Sequence, residues 1–245
     1  VKLSELLDHV SKHILDDRTS MLNGSPDSVW SDEALVRYFR AAEEIFCRKA
    51  WVLKDSTTAA CCSITLVAAQ KDYALHSSVL RVLSVTPDDT DLDLVRASYD
   101  TMRPRMNDHP VDGFDVNVTY IDAPGRPMWF STDSAVRTLR LRPAPSAAEV
   151  ALIGTLNLRV ARMPITALSV DRLDSEPEIP DEYHMDLCNY AAGMALSHPN
   201  VDGQGRREAK DYLNMFFASL RSARGDMHVA EAAPPQFRFG GWANS

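Results

Sequence analysis

Residues 177–197 read PEIPDEYHMDLCNYAAGMALS and residues 204–224 read QGRREAKDYLNMFFASLRSAR; this pair of stretches decides the fold. Tyr183, Leu187, Tyr190, Ala191 and Met194 stand at i, i+4, i+7, i+8 and i+11, one face of a helix. Ala209, Tyr212, Leu213, Phe216, Phe217 and Leu220 repeat that spacing. Pro180 precedes the first stretch, and Asp181 and Glu182 put negative charge where a helix N-terminus favours it. His198-Pro199-Asn200, with Gly203 and Gly205, interrupts the pattern between them. The spacing predicts an αα-hairpin over 177–224 with one apolar face on each arm. His184 and Cys188 lie on or beside that face, which argues for assembly before catalysis.

The front of the chain carries stripes of the same kind. Leu3, Leu6, Leu7, Val10 and Ile14 predict a first helix, with Ser4 as its cap. Asn23-Gly24-Ser25-Pro26 marks a loop. Ser31 caps a second helix with Asp32 and Glu33 in its first turn. Its stripe is Leu35, Tyr38, Ala42, Ile45, Phe46, Lys49 and Val52, and it is expected to run to about Lys54. Both ends of the chain must bury a stripe, and packing them on each other does so.

Beyond Asp55-Ser56-Thr57-Thr58 the period becomes two. Ile64, Leu66 and Ala68 alternate with Thr65 and Val67, and Val79 to Val85 is β-branched and apolar. Phe114, Val116, Val118 and Tyr120 alternate with polar residues, as do Leu156, Leu158 and Val160. Such alternation predicts half-buried, antiparallel strands. A short helix is expected at about 90–102, and prolines 104, 110, 124, 127, 143, 145 and 164 punctuate the region as turns. The fold class is α+β: a helical bundle formed by the N- and C-terminal helices, an inserted antiparallel β domain and an extended C-terminal arm. The expected boundaries are 1–58, 59–176, 177–224 and 225–245.

The arm contains Pro234-Pro235 and Gly240-Gly241, which oppose helix, and three aromatic residues with no core of their own. Phe237, Arg238, Phe239 and Trp242 are therefore read as partner-binding residues on a docking segment.

The net charge of −8 disfavours general nucleic-acid binding, which rests on a basic surface. Asp88, Asp89, Asp91, Asp93 and Asp100 form an acidic cluster; Arg126, Arg137, Arg140, Arg142, Arg159 and Arg162 make the region downstream basic. These read as solvated surface, or as complementary patches between neighbouring copies. No apolar run approaches the roughly 18 residues a membrane span needs. The N-terminus has no signal-peptide core, so synthesis and assembly are expected in the host cytoplasm.

Signs of catalysis are sparse. The four cysteines, 47, 61, 62 and 188, lack zinc spacing and read as small buried residues. Phosphate-loop, dinucleotide, nucleophile-elbow and zinc-protease motifs are absent. His9 and His13 have the i, i+4 spacing of a metal pair without a third ligand nearby. Asp108, His109 and Asp112 form a loop cluster without an assignable nucleophile. His184, with Asp181 and Cys188, reads as a packing or capping residue. No cofactor, metal or catalytic residue is expected.

Several segments together resemble the head-to-tail adaptor proteins of tailed phages, the short-tailed ones especially. They are Ile14-Leu15-Asp16-Asp17, Trp30-Ser31-Asp32-Glu33-Ala34-Leu35, Gly125-Arg126-Pro127-Met128-Trp129-Phe130, Leu139-Arg140-Leu141-Arg142-Pro143-Ala144-Pro145, and the hairpin stretches quoted above. The resemblance covers about residue 3 to residue 224, and it lies in the order and spacing of the segments. It implies a structural virion protein at the neck, forming a ring, in that family a dodecamer. Such a ring binds the portal protein on one side and a tail or nozzle protein on the other, and DNA passes through its centre without sequence-specific binding. Two other readings remain. One is a small hydrolase-like enzyme using Asp108, His109 and Cys61 or Cys62. The other is a DNA-binding module using the arginines between 126 and 162.

Overall fold

The computed structural model describes residues 1–15, 30–102, 123–198 and 204–231. Its helices are α1 (Leu3–His9), α2 (Asp32–Ala50), α3 (Ala59–Cys62), α4 (Tyr99–Met102), α5 (Ala147–Ile153), α6 (His184–Leu196) and α7 (Gly205–Glu231). Its strands are β1 (Lys54–Asp55), β2 (Ser63–Thr65), β3 (Asp72–Ala74), β4 (Val79–Pro87), β5 (Val95–Arg96), β6 (Trp129–Ser131), β7 (Thr138–Arg142) and β8 (Thr155–Arg162). The α+β class is thus observed. The chain forms two compact units: Val1–Val52 with Thr166–Ser245, and Leu53–Ile165.

The first unit is helical. The stripe of α2 buries Leu35, Val36, Phe39, Ala42, Phe46, Cys47 and Ala50. Ser31 Oγ accepts the Ala34 N–H at 3.3 Å, the cap expected from sequence. Helix α6 packs against α1, α2 and α7. Phe216 of α7 lies edge-on to Phe46 at 5.2 Å between ring centres and against Tyr190 at 4.9 Å. Such ring pairs stabilise beyond the area they bury.

Some expected boundaries shift. Ser4 does not cap α1; the Leu3 and Ser4 N–H groups instead donate to the carbonyls of Ser175 and Leu173 at 2.8 and 3.0 Å. The free N–H groups at this helix start are satisfied by a distant segment, which local pattern cannot reveal. The first helix continues beyond His9 as a π-helical turn, Val10–Ile14. Helix α2 stops at Ala50 rather than near Lys54, with Trp51 in the left-handed region at φ 55. Lys54 and Asp55 are drawn into strand pairing with Ala161 and Val160. On α7, Phe217 is 43% exposed, so the stripe narrows to Ala209, Phe216, Leu220 and Ala223.

The second unit holds two sheets. Strand β8 lies at the centre of the first, pairing antiparallel with β1, β2 and β4. The second has the order β3-β7-β6-β5. The expected all-antiparallel arrangement needs one correction, because β5 and β6 are parallel. They are joined not by a hairpin but across residues 97–128, a connection long enough to permit it. Leu156, Leu158 and Val160 are buried while Asn157 and Arg159 are exposed, as their alternation requires. Val82, Val85, Phe130, Leu139 and Leu141 complete the core with Cys61, Cys62 and Tyr73.

Two elements depart further from the pattern. The 90–102 stretch yields β5 and then α4, not one helix. Helix α5 was not anticipated, although Ser146 and Glu149 carry the spacing of a capping box; Ser146 Oγ accepts the Glu149 N–H at 3.2 Å. The alternation at Phe114–Tyr120 lies outside the described residues.

Candidate interaction surfaces and polar clusters

The polar side chains are best read by what already engages them. Cys61, Cys62 and Asp55 form a buried cluster, the one group of metal-ligating type among the described residues. The two sulfurs are 3.6 Å apart. Asp55 Oδ2 accepts from Arg162 Nε at 2.6 Å, and Oδ1 accepts from the N–H groups of Thr57 and Thr58 at 2.9 and 3.1 Å. Burial pushes the Asp55 carboxyl up, but these hydrogen bonds outweigh it and hold it well below the usual carboxylate range. Burial pushes the Cys62 thiol up to about 12. A protonated thiol beside a carboxylate saturated by arginine is a poor ligand set and a poor nucleophile. The cluster locks the turn from β1 into α3.

His184 is buried, and its Nε2 donates to the Ile179 carbonyl at 2.8 Å. That bond ties the start of α6 to the Pro177–Pro180 segment. Cys188 stands one turn on, its thiol pushed up to about 12 by burial. His9 and His13 stack at 5.5 Å between ring centres, with no third ligand grouped with them among the described residues. Asp108, His109 and Asp112 lie outside the described residues.

The arginine-rich stretch is largely internal in its pairing. Arg126 forms ion pairs with Asp89 at 2.9 Å and Glu149 at 3.3 Å. Arg140 pairs with Asp72 through two bonds of 2.6 Å and lies over the Tyr99 ring. Arg162 is buried against Asp55. Guanidinium groups committed to carboxylates are not available to phosphates, which weakens the DNA-binding reading. Asp89 and Arg126, read as members of opposite patches between copies, meet inside one chain.

Helix α7 runs through Gly225 to Glu231, into the segment expected to be extended. A Cβ at Gly225 would meet nothing within 4 Å, so this glycine sits on an open helix face. It costs the helix only about 1 kcal/mol relative to alanine. Phe237, Arg238, Phe239 and Trp242 lie outside the described residues.

Several large apolar side chains remain on the surface. Val136 is 90% exposed, Leu92 75%, Leu152 63%, Val95 58% and Met128 56%. The sequence reading did not single them out. Their only local signal is an apolar residue between acidic neighbours, as Leu92 is between Asp91 and Asp93, or in a turn, as Val136 is. No described helix is long and apolar enough to cross a membrane.

Buried polar groups engaged in holding turns, with apolar side chains left on the surface, define a structural α+β protein built for contact. The chain belongs to the SU10 adaptor protein family, whose profile matches residues 1–237. That family is one of structural adaptors of phages. Among curated proteins, none matches this chain.

Proposed function

We propose that this chain is the head-to-tail adaptor of a short-tailed phage. Copies of it form a ring, a dodecamer by the resemblance, at the neck of the virion. The ring joins the portal protein to a tail or nozzle protein, and DNA passes through its centre. The observation that carries this reading is the family match across both units, residues 1–237. The net charge of −8 supports DNA passage, because an acidic lumen does not grip phosphates. The polar clusters described above serve turns and helix ends, which suits a structural part.

Within this reading, Phe237, Arg238, Phe239 and Trp242 form the segment that docks on the portal or on a neighbouring copy. Aromatic and arginine side chains contribute disproportionately to such contacts. The protein alone is monomeric or weakly associated, and the portal templates the ring. The test is the mass of the purified chain by light scattering, with and without the portal protein, followed by imaging of the complex. A closed ring on the portal is the expected result. A tight small oligomer unchanged by the portal, or no association with it, overturns the reading.

A further inference from the structure

We propose that the β unit joins neighbouring copies of this chain head to tail. The Val136–Arg137 tip of one copy seats against the Leu92, Val95 and Met128 end of the next. The inference rests on the ring reading above and names the contact that closes it.

Both surfaces carry apolar side chains that nothing in the chain covers well: Val136 on one, Leu92, Val95 and Met128 on the other. The tip is held in a defined shape. Arg137 has φ 52, a left-handed conformation uncommon for a residue with a side chain. Its carbonyl accepts the Leu75 N–H at 2.8 Å, and Thr138 Oγ1 donates to the Val136 carbonyl at 3.2 Å. Strain maintained by surrounding bonds is a feature of binding sites. Among the described residues the Arg137 guanidinium has no ion-pair partner. Asp133, in the same turn, accepts the Tyr99 N–H at 3.0 Å.

The other end is acidic. The Val95 N–H donates to the Met128 carbonyl at 2.9 Å, which brings these two residues together where β5 begins. Asp91 and Asp93 flank Leu92. Asp88 and Asp93 accept only from the neutral groups Asn157 Nδ2 and Thr86 Oγ1, so their charge is not cancelled. Asp91 has no partner among the described residues. Asp89 is neutralised by Arg126 and contributes no free charge.

Topology keeps the two surfaces apart within one chain. Strand β5 runs parallel to β6, and β6 leads into the 132–137 turn. The Leu92 end and the Val136 tip therefore lie at opposite ends of the sheet. They also lie towards opposite edges, since β5 closes one edge and the tip bonds to Leu75, just past β3 on the other. A contact between two different patches is heterologous, and repeating it with a rotation closes a ring. The apolar side chains exclude water, and Arg137 against Asp91 and Asp93 fixes the register.

The test uses the full chain with the portal protein, and counts adaptor copies per portal particle by native mass. Arg137→Glu alone, and Asp91→Arg with Asp93→Arg, should each weaken copy-to-copy association by about tenfold or more, leaving isolated copies on the portal. A chain with all three reversals should close rings again, because the complementarity is restored with opposite sign. All three side chains are exposed, so thermal melting should match the wild type. Rings formed normally by both charge-reversed chains would overturn this contact while leaving the ring reading intact. Loss without recovery in the triple variant would overturn it as well. A wild-type chain that never forms a ring would remove the ring reading, and this contact with it.

Discussion

Glu43, on the buried face of α2, accepts the backbone N–H of Glu178 at 2.7 Å. This bond fastens the Pro177–Pro180 segment to a helix far away in sequence, just before the chain enters α6. His184 grips the same segment from the other side through the Ile179 carbonyl. The entry to the C-terminal hairpin is thus set by two buried polar side chains.

Burial pushes the Glu43 carboxyl from 4.5 up to about 7, with the nearby Glu178 charge adding to the rise and the backbone N–H groups of Glu178 and Ile179 opposing it. Between those values the folded chain keeps a proton that the unfolded chain releases. Stability is therefore greatest below about pH 4.5 from this group and falls as pH rises through 7, by on the order of 3 kcal/mol. Glu43→Gln removes the charge that must be buried. The variant should melt higher than the wild type at pH 8 and show no such gain at pH 5. Parallel melting curves of the two proteins across pH 5–8 would contradict this.

Asp55→Ala leaves Arg162 buried without its partner and should cost about 3–5 kcal/mol at neutral pH. Because the Asp55 carboxyl is held below its ordinary range, its contribution is full above pH 4 or so and is lost only in stronger acid. Replacing the pair together, Asp55→Leu with Arg162→Met, should recover much of the loss. Chemical denaturation of the three proteins measures both effects, and equal stability of Asp55→Ala and wild type would show that the clamp is idle.

Phe46→Ala and Phe216→Ala each empty a fully buried ring position where the two side chains meet. Each should cost about 3–5 kcal/mol. The double variant should cost less than the sum, because the first truncation already removes the ring contact. Strict additivity in denaturant titrations would mean that the rings do not interact.

At Gly193 of α6, a Cβ would lie 2.7 Å from Leu213 Cγ and 3.1 Å from the Ala209 carbonyl oxygen. Gly193→Ala should therefore destabilise by about 1–2 kcal/mol, the strain of overpacking exceeding the gain in helix propensity. Adding Leu213→Ala to this variant should relieve the strain, so that the substitution at 193 becomes neutral or favourable in that background. A rise in melting temperature from Gly193→Ala alone would show that the helices can separate freely.

A chain ending at Glu231, the last residue of α7, should melt like the full-length protein, since the truncation removes no described core residue. It should bind portal-bearing heads at least about tenfold more weakly if the Phe237–Trp242 segment docks there. Unaltered affinity would assign that segment no role in docking.

The sequence alone determined the α+β class and the location of its main stripes. Leu35 to Phe46, Tyr183 to Ala191 and Leu156 to Val160 fall at the spacing their burial needs, because helix and strand periods are local properties of the backbone. It also placed the Ser31 cap, the buried cysteines and the packing role of His184, each set by residue type within its own stripe. The tertiary structure decided the rest. Helix α2 ends where strand pairing and the Asp55 turn draw the chain away, and α1 is capped by the carbonyls of Leu173 and Ser175. The parallel β5–β6 pair, the internal partners of the basic stretch and the exposure of Val136 and Leu92 follow from which segments meet across long separations. Periodicity reports which side of a segment is buried; it carries no record of the partner that buries it.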